Sequence, residues 1–318
     1  MLKEKTCLVT GCAGFIGSHL TEKLLADGYA VIGVDALRDY YDVAIKKQNL
    51  NSLKHDNFEF IEADLNELDL GSIVKRVYHV FHEAAQAGVR NSWGQEFGIY
   101  VNDNIMATQK LLEALRGQKD KKMIFASSSS VYGDSTQDEL VEKAVLNPVS
   151  PYGVTKLAAE KLVQVYWKNY GVQALGLRYF TVFGPRQRPD MGLFKFIKAA
   201  LKNEEIEIYG DGSQKRDFTY VTDIVEANIL ALNNFRPGEC FNIGSGSNLT
   251  VNEVLSKIEK ISGKGLAVRY TERAKGDVIN TLANIGNARK QLGYDPKMNF
   301  EQGLLSQIEY MRKSLKIG

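Results

Sequence analysis

Residues 6–17 read TCLVTGCAGFIG, and the interpretation of this stretch decides the fold. A short apolar run, TCLVT at residues 6–10, enters a turn with glycine at Gly11, Gly14 and Gly17. Helical apolar spacing follows over residues 14–27 through Phe15, His19, Leu20 and Leu24. A strand that ends at a helix N-terminus offers free N–H groups and a positive dipole to an anion, and glycine lets the backbone approach a pyrophosphate. Ordinary strand-to-helix turns also contain glycine, so the triplet alone decides little. The next strand, AVIGV at residues 30–34, ends in Asp35, eighteen residues past Gly17. A carboxylate there accepts both hydroxyls of an adenosine ribose and repels a 2′-phosphate, which favours NAD over NADP. Arg38 is the counter-signal, since a basic residue tolerates that phosphate; a solvated loop arginine is the plainer interpretation.

Working outward, short apolar runs recur at residues 58–61, 77–82, 123–126 and 174–177, with helical patterns between them, notably at 99–116 and 152–169. Apolar strands alternating with helices predict a parallel sheet covered on both faces. The expected class is α/β, a Rossmann-type doubly wound parallel sheet with a second, smaller α/β substrate domain. After Tyr179 the pattern becomes irregular, with helices expected at 221–233, 251–261 and 300–315. The expected division is residues 1–180 for the dinucleotide and 181–318 for the substrate, with some return of the chain to the first domain.

Further cofactor positions follow from this frame. Asp64, in Glu62-Ala63-Asp64-Leu65 after the third strand, either meets the adenine or caps a helix. Ala84-Ala85-Gln86 supplies small residues where a cofactor crosses the sheet. Phe15, Ile16 and Leu65 are counted with the same site.

Tyr152 and Lys156 form YxxxK, which sets both side chains on one helical face. Isolated pairs of this kind arise by chance. Here the run Ser127-Ser128-Ser129-Ser130 ends the fifth strand, at the sheet edge where open α/β folds bind ligands. A free tyrosine has a pKa of about 10, and nearby cations favour its phenolate. Tyr152 then takes a proton from a sugar hydroxyl as hydride leaves the same carbon. Lys156 tunes Tyr152 and holds the nicotinamide ribose, and Ser128 bonds the reacting oxygen.

Composition narrows the rest. Of 318 residues 44% are hydrophobic and 25% charged, with a net charge of +2 and scattered Lys and Arg, so neither nucleic acid nor a membrane surface is an expected partner. Three cysteines, Cys7, Cys12 and Cys240, show no disulfide framework. No signal-type apolar region opens the sequence and no apolar run is long enough to span a bilayer, so the cytoplasm is expected. No metal site is expected.

The glycine turn, Asp35, the serine run and YxxxK together resemble the extended short-chain dehydrogenase/reductase family, over essentially the whole chain. The resemblance implies tightly held NAD, a UDP-sugar substrate and a homodimer formed through helices 99–116 and 152–169. Asn104 matches the family's buried helix asparagine, Arg178-Tyr179-Phe180 the segment after the sixth strand, and Gly210-Asp-Gly212 with Arg216-Asp217-Phe218 the phosphate-binding stretch. Asn104, Ser127 and Tyr179 thereby join the cofactor set. Asp39-Tyr-Tyr-Asp42, Ala85-Gln-Ala-Gly-Val-Arg90 and the stretch from Phe180 through Pro185 to Phe196 look most like UDP-glucuronate 4-epimerases. UDP-glucose 4-epimerases usually carry Asn at the place of Thr181. Dehydratases and decarboxylases usually carry an acid at the place of Ser129. Two departures stand out: Ala274 occupies the place of the uridine-ribose arginine, with Arg273 beside it, and residues 134–146 differ from typical glucuronate epimerases.

The expected substrate residues are Ser128, Ser129 and Thr181 at a sugar carboxylate, with Arg188 or Arg90 as charged neighbour. Arg216 and Arg188 are expected on the diphosphate, because guanidinium matches phosphate geometry. Tyr209 is expected on the uracil, and Asp277 matches a later landmark. For each arginine the alternative is a surface salt bridge of little consequence.

Overall fold

The structure, a computed structural model, describes residues 6–135 and 137–316. Its frame is a parallel sheet of seven strands. Six run in chain order: β1 (Thr6–Thr10), β2 (Ala30–Asp35), β3 (Phe58–Glu62), β4 (His79–His82), β5 (Lys122–Ser128) and β6 (Ala174–Tyr179). The seventh, Cys240–Ile243, returns from the second half of the chain to pair with β6. Across the sheet the order is Cys240–Ile243, β6, β5, β4, β1, β2, β3, so the direction of winding reverses between β1 and β4. Ligands of open α/β sheets bind outside the strands' carboxyl ends at such a reversal.

Local chemistry explains the elements that carry the site. Apart from the edge strand β3, the strands are nearly continuous buried runs, as sheets covered on both faces require: Cys7, Leu8 and Val9 are 0% exposed. The Pro151–Tyr170 helix opens on Ser150, whose hydroxyl accepts from Gly153 N–H at 3.1 Å, with proline in the first turn. It stops at Gly171, which takes the left-handed φ of 69° that glycine adopts without strain. The Phe15–Ala26 helix covers one face together with Val221–Asn233, and Ala107–Leu115 packs beside Pro151–Tyr170 on the other.

Several elements differ from the sequence reading. The pattern at 99–116 is not one α-helix: a π turn at Val101–Met106 separates Phe97–Tyr100 from Ala107–Leu115. Helices Val43–Asn51, Gly192–Lys202 and Gly286–Leu292 were not individually placed by the sequence reading. Val43–Asn51 has almost no apolar stripe to read; its start is set by Asp42, whose side chain accepts from Ala44 N–H at 2.9 Å. Beyond the main sheet lie three two-stranded ones, including Thr181–Phe183 with Phe218–Tyr220 and Ile206–Tyr209 with Val268–Thr271.

Candidate active site

A cleft of about 560 Å³ opens at the carboxyl edge of the sheet, over the reversal between β1 and β4. The glycine turn lies at one end. There Gly11 adopts φ 71°, and a Cβ on it would stand 2.8 Å from the Ala84 backbone nitrogen. A Cβ on Gly17 would stand 2.2 Å from the Gly11 carbonyl oxygen. Turn, helix and β4 therefore close on one another only with glycine, which leaves bare backbone facing the cleft where a diphosphate fits.

Asp35, at the end of β2, accepts from Ala13 N–H at 3.1 Å and Leu37 N–H at 2.9 Å. Burial pushes its carboxyl up, while Lys46 and those backbone donors pull it down. Arg38 is more than a loop arginine: it bridges Asp64 at 2.7 Å and Asp103 at 2.9 Å. Two carboxylates thus match its charge, which disfavours a 2′-phosphate there. Asp64 also accepts from Asn66 N–H at 2.9 Å, but within a turn; the next helix, Leu70–Val74, is capped by Asp69, and Asp64 lines the cleft. Phe15, Ile16, Leu65, Ala84, Ala85 and Gln86 line this half. Asn104, sited in the π turn, stands behind it: its amide accepts from Gln86 N–H at 2.8 Å and donates to the Gln86 carbonyl and Thr155. The structure makes Asn104 a brace for Gln86.

Tyr152, Lys156, Ser127, Ser128 and Tyr179 meet at the middle of the cleft. Burial raises the Tyr152 phenol, and the Ser128 hydroxyl and the Arg188 charge pull it back. Lys156 is 3% exposed, with its ammonium 4.5 Å from the centre of the Phe125 ring. Burial lowers its pKa to about 8, opposed by Glu83 and Glu160. Among the described residues that ammonium has no ion pair within 4.0 Å and no hydrogen bond. A buried ammonium with three free donors, next to a turn that fits a diphosphate, matches the hydroxyls of a dinucleotide ribose. Ser127 turns away and donates to Glu160 at 2.7 Å.

Ser129, Thr181 and Arg188 form the far wall. Arg188 donates to both oxygens of Asp190, at 2.9 and 3.0 Å. At the mouth Arg90 donates to Asp277 at 2.8 Å and lies 4.2 Å over the Tyr209 ring. Arg216 stands outside the lining. It donates to the Lys215 carbonyl at 2.8 Å, and Asp277, Arg273, Arg90 and Asp134 act on its charge. Arg273, beside Ala274, donates to the Asp277 main-chain carbonyl at 2.6 Å, while Arg90 takes its carboxylate.

Among the polar lining residues that the sequence reading did not assign to the site are Glu83, Lys46, Tyr40 and Asp190. Glu83 had a visible signal, an acid at the end of an apolar strand. Asp190 had none, because only the fold shows that it faces Arg188.

Fold and cleft define a Rossmann enzyme of the short-chain dehydrogenase/reductase type, with Ser, Tyr and Lys at the junction of two half-sites. The chain belongs to the NAD dependent epimerase/dehydratase family, whose pattern matches residues 7–244. It is 44% identical over 309 residues to an uncharacterized UDP-glucose epimerase of Bacillus subtilis (strain 168), covering 96% of this chain and 97% of the relative. It is 39% identical over 315 residues to the UDP-glucuronate 4-epimerase of Thermodesulfobacterium geofontis, covering 98% and 97%. The crystal structure of a Bacillus cereus UDP-glucuronic acid 4-epimerase with UDP-glucuronic acid and NAD superposes with TM-score 0.94 at 41% identity, covering 97% of this chain and 99% of that one.

Proposed function

We propose that this chain interconverts UDP-glucuronate and UDP-galacturonate: C4 of the sugar is oxidised, the 4-keto sugar turns over, and reduction occurs on the other face. One observation carries the reading. Tyr152 stands where the glycine-turn half of the cleft meets a wall of Ser128, Ser129 and Thr181 hydroxyls beside Arg188. Residues 1–180 supply most of the NAD half and residues 181–318 most of the UDP-sugar half.

Gly11, Gly14 and Gly17 would hold the diphosphate of NAD, Asp35 its adenosine ribose, and Lys156 the nicotinamide ribose. NAD held there would supply the acceptor and the donor of the C4 hydride, with no net consumption. Tyr152 takes the proton of the 4-hydroxyl and later gives it back, with Ser128 donating to the same oxygen. Arg188 favours the phenolate by its charge. Tyr209 would face the uracil, with Arg90, Arg216 and Asp277 at the UDP. Because Asp190 already matches Arg188, the sugar carboxylate falls chiefly to neutral hydroxyls.

The test is incubation with UDP-glucuronate and no added cofactor. UDP-galacturonate is expected. Carbon dioxide and a pentose sugar nucleotide would make it a decarboxylase, and no turnover of UDP-glucuronate would sink the uronate reading. The B. subtilis relative's name favours a second reading, UDP-glucose (or UDP-N-acetylglucosamine) 4-epimerase, which the same assay with those sugars decides.

We further propose a homodimer in the cytoplasm. Ile99, Met106, Val154 and Val165 are between 39% and 50% exposed on the two long helical segments, an apolar surface suited to a second copy. Among the described residues no helix is long and apolar enough to cross a membrane.

A further inference from the structure

Glu83 has no part in the proton route above. It directly follows β4 and lines the cleft with Tyr152, Lys156 and Tyr179. The Tyr179 hydroxyl donates to Glu83 Oε1 at 2.8 Å, and Asn228 Nδ2–H donates to that hydroxyl at 2.7 Å. Tyr179 is 6% exposed and Asn228 0%, so the chain of donors is anchored in the core. It runs one way, from Asn228 through Tyr179, and ends on a carboxylate as acceptor. Lys156 is the cation nearest in effect. Burial pushes the Glu83 carboxyl up to about 7, with the Tyr179 hydrogen bond and Lys156 pulling it down. A charge is costly at such a place, and an apolar side chain would sit there more cheaply. Costly buried charges concentrate where a ligand uses them.

We propose that Glu83 poises the bound dinucleotide toward its oxidised form, by setting a negative charge beside the end of the cleft where hydride is exchanged. The proposal rests on the NAD reading above. The oxidised nicotinamide ring is cationic and the reduced ring is neutral. A fixed carboxylate close by therefore stabilises the first and leaves the second almost unaffected. Asp190 already matches Arg188, so Lys156 is the cation of this part of the cleft without an ion pair, and an oxidised ring adds a second. Glu83 is the carboxylate on the cleft floor that offsets these two, held by Tyr179. The gain for an epimerase is specific: a keto sugar that escapes leaves the cofactor reduced and the enzyme idle, and a bias toward the oxidised form opposes that state.

The holoenzyme and its Glu83→Gln and Glu83→Asp variants are equilibrated with redox dye couples of graded potential, which supply the two electrons and take up or release the proton. The reduced fraction is read from the absorbance and fluorescence that only the reduced ring shows. Gln keeps the shape and loses the charge. It should raise the reduced-to-oxidised ratio at a fixed potential by about tenfold, ~30 mV for a two-electron couple. Asp keeps the charge and should stay near wild type. A purely structural role would lower cofactor content and leave the potential unmoved, and an unmoved potential in the Gln variant overturns the proposal. Should that variant fail to fold, Tyr179→Phe removes the hydrogen bond that favours the carboxylate and must shift the potential in the same direction; no shift overturns the proposal equally. A wild-type protein with no dinucleotide signal at all sinks the NAD reading, an outcome separate from an unmoved potential.

Discussion

Asp190 grips Arg188 with both carboxylate oxygens, Nε to Oδ1 at 2.9 Å and Nη2 to Oδ2 at 3.0 Å. Tyr40 adds its phenolic O–H to the same carboxylate at 3.3 Å. A substrate carboxylate that approaches Arg188 must compete with an internal one. Asp190→Asn keeps the volume and frees the guanidinium. Its KM for UDP-glucuronate should fall by about tenfold, ~1.4 kcal/mol, with KM for UDP-glucose unchanged. Parallel changes on both sugars would show that Arg188 does not sense the carboxylate.

Tyr152→Phe removes the proton carrier and little else, since the Tyr152 ring packs edge-on against Tyr100 at 6.2 Å between centroids. Turnover should drop by about a hundred- to ten-thousand-fold while NAD and UDP-sugar affinities hold. Single-turnover rates and calorimetry on one preparation check both halves. A variant that turns over like wild type takes Tyr152 out of the mechanism.

Lys156 fixes the alkaline side of the pH profile. Burial lowers its ammonium from the ordinary 10.5 to about 8. The charged form dominates below that pH and is lost as pH rises through it, so kcat should fall across the same interval. Lys156→Arg cannot lose its charge in this range. That variant should be slower but should lack the alkaline fall; if the fall persists unchanged, another group titrates there.

The buried pair Arg178–Glu160 ties the catalytic helix to β6, with Nη2 to Oε1 at 2.6 Å and Nε to Oε2 at 2.9 Å. Arg178 is 3% exposed and Glu160 0%. Glu160→Gln leaves an unmatched buried guanidinium and should cost about 3–5 kcal/mol of stability, seen as a lowered Tm. A Tm within error of wild type would mean that Arg178 finds another partner.

The frame was legible because strand, turn and helix periodicities agree locally. Gly11, Gly14, Gly17, Asp35, Ser128, Tyr152 and Lys156 occupy one cleft, as their motifs implied. What stayed hidden depends on contacts distant in sequence. Arg38 looked solvated because Asp103, one of its two partners, is 65 positions away. Some return of the chain to the first domain was expected, but not which segment makes it: the pairing of Cys240–Ile243 with β6 is tertiary, and a four-residue strand carries little signal of its own. Asn104 was read as a cofactor contact, yet its partners are Gln86 and Thr155, a distinction spacing cannot make. Arg188 reaches Tyr152 by its charge from a loop, a contribution that helical spacing does not reveal.

Thr181 offers the sharpest test of the substrate. It opens the Thr181–Phe183 strand, is fixed by its N–H donating to the Asp217 carbonyl at 2.9 Å, and lines the cleft beside Ser128 and Ser129. Oxidation of C4 in a glucuronate makes a β-keto acid, which loses carbon dioxide readily when the bond to the carboxylate stands perpendicular to the keto plane. An epimerase must hold the carboxylate out of that alignment until hydride returns. Neutral hydroxyls suit the task, since they fix both oxygens and leave the carboxylate charged, which disfavours its departure into a dry site. Thr181→Ala removes one such donor. Activity on UDP-glucuronate should fall by about tenfold, the equivalent of one charge-assisted hydrogen bond, with a smaller loss on UDP-glucose. The decarboxylated pentose sugar nucleotide should appear among the products, identified by NMR. Equal losses on both sugars with no pentose would show that Thr181 does not read the carboxylate, and the weight of the uronate assignment would shift to Ser128, Ser129 and Arg188.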